Sequence, residues 1–143
     1  MVDSAGVKIH YVTAGKADGP LVVMVHGYPD CWYTWRHLIT ELAPDYHCVA
    51  MDQRGYNLSD KPEGVANYDR KLLIDDIEAV IHAEGRKSCI LIGHDWGSST
   101  SWAVALQRPQ LVDRLVCMSV PHPANMAREL RDNPAQQAGS QYA

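Results

Sequence analysis

An α/β fold, with a mostly parallel sheet and helices on both faces, is the fold class this sequence predicts, and three observations predict it. Strand-like runs alternate with helical patterns along the chain. Several runs are continuous apolar stretches, "LVVMV" at 21–25 and "CILI" at 89–92, which suits parallel strands buried on both sides. Segments rich in Gly, His and Asp follow three of the runs, where open α/β sheets gather their ligands.

Taken in order, strands are expected at Val7–Thr13, Leu21–His26, His47–Asp52, Ser88–Gly93 and Leu115–Val120. A helix is expected from Trp32 to Ala43, ended near Pro44. In "NYDRKLLIDDIEAVIHAEG", Leu73, Ile77, Val80 and Ile81 share one helical face, and Gly85 supplies the stop. Residues 98–107 read as a third helix, ended by Pro109. Past Val120 the chain becomes Pro-punctuated, with a helical middle and a polar close, and does not return to the sheet. Residues 1–121 are therefore read as core and 122–143 as a separate start.

At 143 residues the chain is about one domain. A net charge of −4, with no Lys/Arg run, offers no surface for a nucleic-acid backbone. No apolar stretch reaches bilayer-spanning length, and "MVDSAGVKIHYV" has neither the basic region nor the apolar core of a signal peptide, so no membrane partner is expected. Cys31, Cys48, Cys89 and Cys117 lie far apart, without metal-ligand spacing, and three of them sit in strand-like runs as small hydrophobes. No metal and no disulfide framework are expected, and a reducing cytoplasm fits this usage.

The chemistry concentrates in "GHDWG" at 93–97, which has the spacing of a nucleophile elbow, a tight strand-to-helix turn with an exposed central side chain. Asp95 would be an attacking carboxylate there, and an ordinary helix-capping Asp is the alternative. The Trp96 N–H, at the helix start, would face a developing oxyanion, joined by an N–H from the loop after Val25. Trp96 could also turn its indole N–H into the site. His94 and His26 read as supporting residues, Trp32 and Trp35 as core, and Asp52 and Arg54 as a loop-bracing pair. His10, His37, His47 and His82 read as surface or filler positions.

"HGYPDCWYTWR", "DQRGYNLSDKP", "GHDWGSSTSWAVALQRP" and "VPHP" occur in this order and together resemble the α/β-hydrolase superfamily, most closely its epoxide hydrolases. The resemblance implies that Asp95 opens an oxirane by attack on carbon. It implies that the backbone amides of Tyr28 and Trp96 form the oxyanion hole. It also makes His26 and Pro29 support of the loop that presents Tyr28, with Pro29 in cis linkage. "NPAQQAGSQY" resembles the beginning of a helical cap, which makes Tyr142 the candidate donor to the leaving oxygen. The implied reaction takes a small hydrophobic epoxide and water to a vicinal diol through an alkyl ester, with no cofactor.

Two departures stand out. Asn57 replaces the final glycine of the usual D-x-R-G-Y-G, a position where Asn tolerates positive φ. The family's catalytic His and its orienting acid belong to C-terminal strands before which this chain stops, and His122 is a poor substitute. The isolated chain is thus expected to be incomplete for turnover, with an uncovered sheet edge at 115–120 open to self-association or a complementary chain. A haloalkane dehalogenase and a non-catalytic fragment are the alternative readings. Tyr28 disfavours the first, since those enzymes usually carry Asn there. A serine hydrolase is disfavoured because Asp occupies the elbow.

Overall fold

The computed structural model describes residues 1–141. A hairpin of β1 (Val2–Ser4) and β2 (Val7–Ile9) precedes a five-stranded sheet of β3 (Tyr11–Gly15), β4 (Leu21–Val25), β5 (His47–Met51), β6 (Cys89–His94) and β7 (Val112–Met118). The sheet order is β3-β5-β4-β6-β7, parallel except for β3, which runs antiparallel to β5 at the edge. Helices α1 (Arg36–Leu42), α2 (Arg70–Ala83) and α3 (Trp96–Gln107) connect the strands, and α4 (Pro123–Asp132) and α5 (Pro134–Gly139) follow them.

Every residue of β4 is buried, and its alternate side chains feed two different cores. Val23 and Val25 join Ile74, Ile77, Val80 and Ile81 of α2 and Ala103 and Val104 of α3. Val22 and Met24 point the other way, into a cluster with Trp35, Cys48, Ala50 and Ile92 beneath α1. A two-sided apolar strand between helical layers is what a continuous apolar run requires. The Trp readings hold, with Trp35 only 5% exposed and Trp32 packed against the same cluster.

The expected strand at Val7–Thr13 is two strands. His10 sends its N–H to Ser59 Oγ and its carbonyl receives Asp52 N–H, so it is stitched to a loop and leaves the ladder. The expected helix at Trp32–Ala43 begins as a 3₁₀ turn over Trp32–Trp35 and becomes α-helical only at Arg36. Asp69 caps α2 by accepting from Lys71 N–H, and Gly85 ends it at φ +69°. His122 caps α4, its Nδ1 accepting from Ala124 N–H, and its ring meets Trp102 edge-on at 4.9 Å.

All four cysteines are free thiols. Burial, and then the charge of Asp113, pushes the Cys89 thiol up to about 12. Among the described residues no helix is long and apolar enough to cross a membrane, and no three His, Cys, Asp or Glu side chains gather to hold a metal ion.

Candidate active site

Strand β5 lies on one side of β4 and β6 on the other, so the chain reverses direction across the sheet at β4. Such a reversal opens a crevice at the carboxyl ends of the strands. Three loops meet there: His26–Asp30 after β4, Asp52–Asp60 after β5, and Asp95 between β6 and α3.

Asp95 sits at the tip of the turn with φ +54° and ψ −124°, a strained backbone for a residue with a side chain. Close approach makes that turn possible. A Cβ on Gly97 would lie 2.1 Å from the Val25 carbonyl oxygen, and one on Gly27 would lie 2.4 Å from Asp95 Cβ. The elbow therefore packs directly against the loop after β4. Asp95 N–H donates to the Met118 carbonyl at 3.2 Å, and the Ser98 hydroxyl accepts Met118 N–H at 3.0 Å while donating to the Gly93 carbonyl at 2.6 Å. Ser98 thus ties β7 to the elbow from outside the reacting position.

Tyr28 N–H donates to Asp95 Oδ1 at 3.0 Å, although the two residues stand 67 positions apart. The Tyr28–Pro29 peptide is cis. Trp96 N–H is the first of α3, and a helix cannot supply partners for its first amides. One carboxylate thus has an N–H on it and a helix N-terminus beside it. The phenol of Tyr56, whose ring packs against His26, is pushed up by burial and then by the charges of Asp95 and Tyr28.

His26 is fully buried, and burial depresses its pKa against the opposing pull of the Gly27 carbonyl, Asp52 and Asp30. Its Nε2 accepts Gln53 N–H at 3.2 Å, which assigns the proton to Nδ1, and Nδ1 donates to the Gly27 carbonyl at 2.7 Å. Tyr56 packs edge-on against the ring at 5.0 Å. The Asp30 carboxyl is partly desolvated, yet bonds from Thr34 and Cys31, with His26 and His94 nearby, hold it below the usual range.

Asp52 and Arg54, both buried, brace the loop as expected, each through its own partners rather than through a bond to the other. Asp52 binds His10 Nδ1 at 2.7 Å, Trp32 N–H at 2.8 Å and Asn57 Nδ2 at 2.9 Å. Arg54 forks onto Asp76 with two bonds of 2.6 Å and donates to the Asn67 carbonyl at 2.7 Å. Asn57 adopts φ +41°, so the residue that departs from glycine keeps the turn and adds a bond. His10 and His47 are not filler: the first binds Asp52, and His47 Nε2 binds Glu84 at 2.6 Å.

Trp96 is 64% exposed, and its side chain helps line a cavity of about 220 Å³ with Tyr68, Arg70, Leu73, Ser99 and Thr100. Tyr142, the candidate donor, lies outside the described residues. Sequence reasoning missed Gln53, a buried polar side chain that binds the His26 carbonyl at 2.6 Å. Its only signal is its place between Asp52 and Arg54 at a strand end.

Residues 20–140 match the family model described as alpha/beta hydrolase fold. Epoxide hydrolase 1 of Caenorhabditis elegans is 46% identical over 124 residues, which are 87% of this chain and 31% of that protein. The AB hydrolase superfamily protein YfhM of Bacillus subtilis is 42% identical over 142 residues, 99% of this chain and 50% of that one. The crystal structure of Bacillus megaterium epoxide hydrolase in complex with an inhibitor superposes with a TM-score of 0.93 at 43% identity, covering 99% of this chain and 49% of that chain. The chain spans half or less of the length of these relatives.

Proposed function

The chain belongs to the α/β-hydrolase fold family, and from that premise we propose that it carries the nucleophile and the oxyanion amides of an epoxide hydrolase. A carboxylate oxygen of Asp95 attacks an oxirane carbon of a small hydrophobic epoxide. That carbon–oxygen bond breaks, and the released oxygen takes a proton from an acid, for which Tyr142 is the candidate. The product is an alkyl ester on Asp95. Water then adds to the ester carbonyl carbon, giving its proton to a base. Negative charge gathers on the carbonyl oxygen, facing the N–H groups of Tyr28 and Trp96. Collapse of this intermediate expels the alkoxide, which takes the proton of the added hydroxyl to leave as the vicinal diol, restoring the carboxylate, and the base returns its proton to the acid.

The observation that carries this reading is the Tyr28 N–H on Asp95 Oδ1 at 3.0 Å. A carboxylate held by one oxygen beside a helix N-terminus keeps its other oxygen for attack. The names of the relatives support the substrate class. In the same reading residues 122–143, with α4 and α5, begin a cap over the site. His122 is committed to capping α4 and to an edge-on contact with Trp102, so the water-activating base and its orienting acid are assigned to the part of the relatives' length that this chain does not span. A reducing cytoplasm is the compartment assigned, on the support of four free thiols.

The test is intact mass spectrometry after incubation with styrene oxide and, in parallel, an alkyl bromide. We expect one persistent adduct from the epoxide, mapped to Asp95 and lost in Asp95→Asn. Adduct from the bromide alone would favour dehalogenation, and diol formed without a trapped ester would mean that the base lies within these residues. A folded chain that takes up neither reagent would refute the nucleophile role.

A further inference from the structure

We infer that Gln53 is a positioning residue for the oxyanion amide of Tyr28, acting through His26; the inference rests on the reading of Asp95 as the nucleophile. Two successive peptides carry the effect. In a planar trans peptide the C=O and the N–H point to opposite sides, so whatever holds the oxygen aims the hydrogen. The oxygen of the Gly27–Tyr28 peptide is held by His26 Nδ1–H at 2.7 Å and by Asp30 N–H at 3.0 Å. Its N–H is thereby turned the other way, onto Asp95 Oδ1 at 3.0 Å.

His26 can hold that oxygen only while its proton sits on Nδ1 and its ring does not rotate. Gln53 enforces both conditions. Its main-chain N–H occupies Nε2 at 3.2 Å, and its side-chain Nε2 donates to the His26 carbonyl at 2.6 Å. The second bond holds the preceding peptide, whose oxygen also faces Gly97 so closely that a Cβ there would lie 2.4 Å away. The His26 carbonyl can only accept, which turns the amide's N–H groups toward it and leaves Gln53 Oε1 3.4 Å from the Thr100 hydroxyl on α3, whose proton also reaches the Trp96 carbonyl at 3.1 Å. Gln53 is 6% exposed and His26 is fully buried, so water does not replace these bonds when they are lost. The chain runs from α3 through Gln53 and His26 to Tyr28 and returns to Asp95 at the start of α3.

The test uses the whole chain, with ring-¹⁵N-labelled histidine and amide hydrogen exchange, and alkylation of Asp95 by styrene oxide as a separate readout. In the unsubstituted chain His26 should appear as one Nδ1–H tautomer, and the Tyr28 amide should be protected. Gln53→Met removes the amide, and Gln53→Glu keeps its shape while losing the donor. Both should speed exchange at Tyr28 and slow alkylation by about tenfold, because a Tyr28 amide that no longer holds Asp95 Oδ1 leaves the carboxylate out of line for attack. A structural role alone would shift the denaturation midpoint while leaving Tyr28 exchange unchanged, and that result overturns the proposal. If the Gln53 variants fail to fold, Thr100→Val should show a smaller change of the same sign, and no change at Tyr28 counts against it. If the unsubstituted chain is never alkylated, the nucleophile reading falls, and Tyr28 exchange alone decides the role of Gln53.

Discussion

Asp95 occupies a backbone conformation that costs about 1–3 kcal/mol when a side chain is present. The elbow holds it there by steric exclusion, with Gly27 against its Cβ and Gly97 against the carbonyls of Val25 and His26. The consequence is sharp for Gly27→Ala. The new methyl would meet Asp95 Cβ at 2.4 Å and Oδ1 at 2.5 Å, and something must move. We expect a loss of roughly 1–3 kcal/mol in stability from overpacking. Alkylation of Asp95 should slow as well, because the displaced carboxylate leaves the Tyr28 amide. Urea titration and adduct kinetics check the two effects separately, and unchanged kinetics would mean that the carboxylate absorbs the methyl without losing its aim. The residues of this site were legible unevenly. Asp95 and Trp96 announce themselves through the spacing of the elbow, because a tight turn demands small residues at fixed positions, and Tyr28 through the resemblance of its loop to the family's. Gln53 did not, because a bond to a carbonyl 27 positions away leaves no local pattern.

At the scale of elements, the long connection between β5 and α2 is anchored at two buried points. Asp52 gathers His10 between β2 and β3, the 3₁₀ turn before α1 and the turn at Asn57, while Arg54 reaches Asp76 on α2. The Asp76 bond, with the attraction behind it, raises the Arg54 pKa further despite burial, so the guanidinium stays charged at any working pH. Removing one partner strands a buried charge. Asp76→Ala is expected to cost about 3–5 kcal/mol. The double variant Arg54→Met, Asp76→Leu should cost distinctly less, since both charges leave together. Chemical denaturation of the single and double variants decides this, and equal losses would show that the pair acts only through packing. The helix and strand cores followed from apolar periodicity. The split at His10 did not, because its cause is a pair of bonds to Ser59 and Asp52 far along the chain.

At the scale of the whole molecule, β7 is an edge strand of the sheet among the described residues, and Trp32, Trp35 and α1 cover the face that carries Ile92 and Met118. Val116, on this edge strand, is 44% exposed. An exposed apolar strand with unpaired backbone groups is a template for another chain. We therefore expect concentration-dependent self-association in sedimentation experiments, weakened by Val116→Lys. A species that sediments as a monomer at all concentrations, with and without that substitution, would remove this expectation.

Taken by itself, the sequence determined the α/β class, the two-sided burial of β4, the three loops that face the crevice and the identity of the elbow residue. These follow from local rules: an apolar run must be covered, and a turn of this tightness excludes most side chains. Tertiary structure alone decided which groups meet across the crevice. It put the Tyr28 N–H on Asp95, separated Asp52 from Arg54, drew His10 and His47 into carboxylate bonds and set Gln53 behind His26. Hydrogen bonds between distant segments depend on where each loop leaves the sheet, and the sheet order that sets those exits is a property of the packed layers rather than of any short stretch of chain.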